Sequence, residues 1–182
     1  MIPVFLANEF ILSTVSPRWA DLSPNACKLG MVWLSLLSNE VWPSDPYGLT
    51  DLSMLPDAQV KEAEMELTNQ EFLVRAAPSY YTMLRPLPIR LSEHPSAQSK
   101  PDAVTFPSEC VFNQYWAKLS PEACKVFVVL RAIGKGNINS GILMMYTKMP
   151  EDDIFKAMEE LKDKGAVKYE LNLSDLSGKK NY

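Results

Sequence analysis

The sequence predicts an α+β chain, mainly helical, built from two copies of one module, each of three helices and a β-hairpin. Three observations carry this. Trp19-Ala-Asp-Leu-Ser-Pro-Asn-Ala-Cys-Lys28 returns as Trp116-Ala-Lys-Leu-Ser-Pro-Glu-Ala-Cys-Lys125, identical at eight of ten positions at an offset of 97. A second block, starting at Pro56 and Pro150, aligns without gaps at an offset of 94, matching Val60 with Ile154, Ala63 with Ala157, Leu67 with Leu161 and Leu73-Val74 with Val167-Lys168. Between the copies, residues 86–107 hold five of the 14 prolines. Proline removes a backbone donor and disfavours helix in the residue before it, so this stretch reads as an extended linker. The expected domains are residues 1–85 and 108–182.

Within each copy the elements follow from local chemistry. Ser23-Pro24 and Ser120-Pro121 start the first helix: serine accepts from a free backbone N–H, and proline at the first helical position loses nothing. Ala123, Val126, Phe127 and Leu130 recur at helical spacing, as do Ala26, Leu29, Gly30 and Trp33. Cys27 and Cys124 fall inside these apolar helices and read as core thiols. A short helix follows around Leu49–Leu55 and Ile142–Met149, then a third near Asp57–Gln70 and Glu151–Lys164, with Gly165 as its C-cap. The β-prone segments Phe72–Val74 with Tyr80–Leu84, and Ala166–Leu173, complete the module. Three helices and a hairpin wing make a winged helix-turn-helix.

Charge narrows the function. The 182 residues carry 18 Lys+Arg and 22 Asp+Glu, a net of −4. Residues 1–100 hold 7 basic and 11 acidic side chains, and residues 101–182 hold 11 of each. Neither half has the positive field that drives non-specific phosphate binding. No apolar run reaches the roughly 18 residues of a membrane span, and no basic leader opens the chain. Three cysteines do not make a disulfide framework. A cytoplasmic protein without membrane contact is expected.

The Trp-x-x-Leu-Ser-x-x-Ala-Cys-Lys start, followed by the run from Met149 to Val167 entering a strand, resembles winged-helix modules of plasmid replication initiators and phage replisome organisers. The resemblance covers about 60 residues per copy. It implies a role in DNA replication on phage or plasmid elements, bound to origin DNA or to other replication proteins. The motifs are structural, so no catalytic residue carries over.

Two sets of side chains are candidate sites. A groove-reading third helix presents Arg, Lys, Asn or Gln to bases and phosphates, whereas these third helices carry Asp57, Glu62 and Glu66, and Glu151, Asp152, Asp153, Glu159, Glu160 and Asp163. Such acids repel phosphate and suit a protein partner with a basic surface. Glu62, Glu66, Asp152, Asp153, Glu159 and Glu160 are therefore the expected partner-binding residues, with Trp42 as an aromatic anchor. Asp152 and Asp153 also have a structural explanation, as acids near a helix N-terminus. The alternative is DNA contact through the wings and tail, by Arg75, Tyr80, Tyr81, Arg85, Arg90, Lys162, Lys164, Lys168, Lys179 and Lys180. Self-association into a homodimer is left open.

Catalytic signatures are missing. The single histidine, His94, lies in the linker, so histidine triads and multi-histidine metal sites do not form. Cysteine spacing matches no zinc site, and Gly134-Lys-Gly-Asn lacks the residues of a phosphate-binding loop. A non-enzymatic adaptor or regulator without cofactor or metal is expected.

Overall fold

The structure, a computed structural model, describes residues 4–12, 18–39, 46–77, 80–83, 103–134 and 138–167. The chain is mainly helical. The first copy runs β1 (Val4–Ala7), α1 (Asn8–Leu12), α2 (Arg18–Asp21), α3 (Pro24–Ser38), α4 (Pro46–Ser53), α5 (Asp57–Asn69), β2 (Leu73–Ala77) and β3 (Tyr80–Met83). The second runs β4 (Ala103–Phe106), α6 (Glu109–Phe112), α7 (Pro121–Ile133), α8 (Ser140–Thr147) and α9 (Glu151–Asp163).

The caps are those the sequence predicts. Ser23 Oγ accepts from Ala26 N at 3.1 Å and Ser120 Oγ from Ala123 N at 3.1 Å, each ahead of a proline. Asn139 starts α8 in the same way, accepting from Ile142 N at 2.9 Å. Val60, Ala63 and Leu67 form the buried stripe of α5, and Ile154, Ala157, Met158 and Leu161 that of α9. Helix α3 differs from a surface helix: twelve of its fifteen residues are buried, so it is enclosed on nearly all sides.

The copies also match in their exits. Met54 and Lys148, both at φ 52°, end α4 and α8 in the left-handed region. Ser53 and Thr147 turn their hydroxyls back to Leu49 O and Leu143 O, at 2.6 and 2.7 Å. Gly165 (φ 68°) closes α9, where Ala166 N donates to Leu161 O at 2.8 Å. Its counterpart after α5 is Glu71 (φ 61°), where Phe72 N donates to Leu67 O at 2.7 Å. A left-handed non-glycine residue is strained, and Glu71 is exposed with no packing to lose. Glu71→Gly is therefore expected to stabilise the protein by about 0.5–1 kcal/mol, seen as a higher denaturation midpoint at unchanged slope.

One departure concerns the linker. Residues 103–106, assigned to it by their flanking prolines, form β4, which pairs antiparallel with β1: Val4 opposite Phe106, Phe5 opposite Thr105, Leu6 opposite Val104, Ala7 opposite Ala103. Val104 and Phe106 alternate into the core, at the same depth as Val4 and Leu6. The repeat thus has a third block, in which Val4 matches Val104, Glu9 matches Glu109 and Ile11 matches Val111. With that correspondence the pair Phe5–Thr105 maps onto itself, and the strand from each copy closes on the other.

The β2–β3 pair is the hairpin expected after α5, with Leu73 opposite Met83, Val74 opposite Thr82, Arg75 opposite Tyr81, and an irregularity between Arg75 and Ala77. Of the second expected hairpin, Ala166 and Val167 are described and the rest lies outside the described residues.

Candidate functional site

The repeated block builds the junction between the copies. Lys28 lies in α3, buried at 2% exposure, and its Nζ donates to Ala117 O at 2.9 Å and Leu119 O at 2.6 Å of the second copy. Lys125 in α7, also 2% exposed, returns the contact, donating to Ala20 O at 3.0 Å and Leu22 O at 2.5 Å. Trp19 Nε1 donates to Lys125 O at 3.2 Å, and Trp116 Nε1 to Lys28 O at 3.0 Å. Every bond in this set occurs twice in opposite senses. The two copies therefore stand in an approximate twofold relation, as the subunits of an isologous dimer do.

Electrostatics follow from burial. Loss of water lowers both lysines below the ordinary ammonium value, opposed by Cys124 and then Glu160 and Glu122 at Lys28, and by Cys27, Glu66 and Asp21 at Lys125. Burial likewise pushes the Cys27 and Cys124 thiols well above their usual value. Each thiol donates to the carbonyl of its own module's tryptophan, at 3.7 Å. Both cysteines are thus inert core groups, as the sequence indicates.

The acidic residues of the third helices divide into three groups. Glu66 Oε1 accepts from Ser23 N at 2.6 Å, and Glu160 Oε1 from Ser120 N at 2.7 Å. Each thus turns one carboxylate oxygen inward and satisfies a backbone donor ahead of α3 or α7, where a carboxylate also favours the helix dipole. Glu62, Asp152 and Glu159 are exposed as expected. They share their faces with Lys61 and Met65 on α5, and with Lys156 and Lys162 on α9, so these faces are mixed rather than acidic. Asp153 is half-buried, 3.5 Å from Lys156, and reaches a cleft between the copies.

That cleft, of about 440 Å³, is the candidate site. Carboxylates of Asp21, Glu66, Glu122 and Asp153 line it, with Lys125 at its base and Lys148 at its edge. Lys148, in the turn between α8 and α9, pairs with Asp21 of the other copy, and Met149 beside it is buried. The turn thereby meets the first copy through Lys148. The corresponding junction on the other side has Met54 in place of Lys148 and Lys118 in place of Asp21, so it lacks this bridge.

The remaining expected contacts divide by where they fall. Lys162 and Lys164 are exposed at the end of α9. Arg75, Tyr80 and Tyr81 lie on the β2–β3 hairpin, with Arg75 opposite Tyr81. Trp42, Arg85, Arg90, Lys168, Lys179 and Lys180 lie outside the described residues. Sequence reasoning overlooked Lys28, Lys125, Asp21, Glu122 and Lys148. The signal for the first two was available: Lys28 and Lys125 end the block that both copies share, and Glu66 and Glu160 are likewise identical between copies.

Among the described residues, no group of three or more His, Cys, Asp or Glu is placed to hold a metal ion. No helix among them is long and apolar enough to cross a membrane. Compared with known proteins, the chain matches no family model, no curated protein and no solved structure.

Proposed function

We propose that this chain is a non-enzymatic tandem winged-helix adaptor or regulator, of the replication-protein type, that docks a protein partner with a basic surface. The observation that carries the reading is the placement of the α8–α9 turn and the start of α9. A groove-reading helix leads with its N-terminal residues. Here the turn that leads into that end is tied to the other copy by the Lys148–Asp21 pair, and Asp153 joins Asp21, Glu66 and Glu122 around one cleft. Carboxylates there oppose phosphate and favour Lys or Arg side chains of a protein. Exposed Asp152 and Glu159 add carboxylates along α9, interleaved with Lys156 and Lys162. The three free thiols suit a reducing, cytoplasmic setting, and the likeness to replication modules supports the biological context.

A Lys/Arg-rich peptide is expected to bind with an affinity that falls with salt. The triple change Asp152→Lys, Asp153→Lys, Glu159→Lys is expected to weaken it about tenfold, from three ion pairs worth roughly 0.2–1 kcal/mol each. Fluorescence anisotropy with the peptide and, in parallel, with duplex and single-stranded DNA makes the test. Peptide binding indifferent to the triple change would sink the reading. Duplex binding that persists at physiological salt and is lost with Arg75→Ala would favour DNA contact by the hairpin, where Arg75 stands opposite Tyr81.

A further inference from the structure

The junction between the copies is self-complementary, and this has a consequence for the chain as a whole. Each side offers the same donors and the same acceptors: a buried lysine, an indole N–H, and the carbonyls two residues apart that receive the lysine. Strand β1 meets β4 about the pair Phe5–Thr105, which maps onto itself. Nothing in these contacts requires the two modules to belong to one chain. We infer that a second copy of this chain fits the same interface, each chain docking its first module on the other's second module to form a closed, exchanged dimer.

The side chains at the rim specify which modules pair. In the observed arrangement Lys148 of the second module meets Asp21 of the first. Two second modules together would set Lys148 against Lys118, the counterpart of Asp21, and like charges repel. Two first modules would set Met54 against Asp21 and leave the carboxylate unpaired. Pairing of unlike modules is favoured, and with two chains it satisfies both interfaces and closes the assembly. Joining the modules in one chain makes their pairing intramolecular, with an effective concentration on the order of millimolar. The closed single chain therefore dominates in dilute solution, and exchange grows as chain concentration approaches that level.

Two full-length variants test this, Phe5→Cys in one chain and Thr105→Cys in another. They are denatured together, refolded by dilution at increasing concentration, and oxidised, with the unsubstituted chain showing any background from half-buried Cys110. A disulfide-linked pair of the two variants that increases with refolding concentration is the expected result. Thr105→Cys linking to itself as readily would overturn the pairing of unlike modules, because Thr105 faces Thr105 when two second modules dock. Light scattering on the unsubstituted chain, refolded at the same concentrations, gives the independent readout. A mass of one chain throughout would overturn the exchange.

Discussion

Lys125→Ala is expected to destabilise the protein by about 3–4 kcal/mol, the sum of two effects. It leaves the carbonyls of Ala20 and Leu22 buried without their donor, and a buried unsatisfied group costs about 1–3 kcal/mol. It also removes an aliphatic stem packed through the junction. Lys125→Met keeps the volume and avoids burying a charge, so about 2 kcal/mol is expected for it. Lys28→Ala should repeat the result through Ala117 and Leu119. The double change should depart from additivity, since both side chains serve one interface. Urea midpoints of the four variants make the comparison.

The same lysines give a pH signature. Burial lowers both below 10.5, so between that lowered value and 10.5 the unfolded chain binds more protons than the folded one. Their contribution to stability rises with pH across that window, and Lys125→Met should lose the Lys125 share of the rise. Cys27 and Cys124 act in the opposite sense. Above their ordinary value of 9.0 the unfolded thiols ionise while the buried ones stay protonated, so their contribution falls as pH rises.

Trp116→Ala is expected to cost about 4–5 kcal/mol, the largest effect of any single change. Its ring is fully buried, meets Phe106 edge-on with centroids 4.9 Å apart, and lies 6.3 Å from Phe127. It also donates to Lys28 O across the junction. Trp116→Phe separates the parts: it retains an aromatic ring beside Phe106 but removes the indole donor, for about 1–2 kcal/mol. Thermal and urea unfolding of both variants would check this. Equal losses from the alanine and phenylalanine variants would show that the hydrogen bond, not the ring's packing, dominates.

Much of the local structure could be read from residue order. Ser23 and Ser120 announce their helices through a cap that acts over three residues, and the stripes of α5 and α9 follow from helical spacing. The strand at 103–106 escaped because Pro101 and Pro107 bracket only five residues, too few for alternation to stand out against the proline signal. The inward turn of Glu66 and Glu160 escaped for a different reason. Their helical position sets them beside exposed residues, while the donors that claim them are 43 and 40 residues away. Counting both among outward acids made the third helices look more acidic than their exposed faces are. In the candidate site, Glu66 and Asp153 were among the expected residues, whereas Asp21, Glu122 and Lys148 join them only through the packing of one copy on the other.

By itself, then, the sequence determined that this protein is a duplicated, mainly helical chain whose helices begin and end at stated residues. Capping, helical periodicity and left-handed exits act within a few residues of chain, so each copy carries them on its own. That the copies close on each other was decided by tertiary structure alone. Lys28 and Ala117 are 89 residues apart, and Trp19 and Lys125 are 106 apart. A buried ammonium group has no local instruction for where its acceptors lie; it must find carbonyls wherever water is excluded, and here those belong to the other copy.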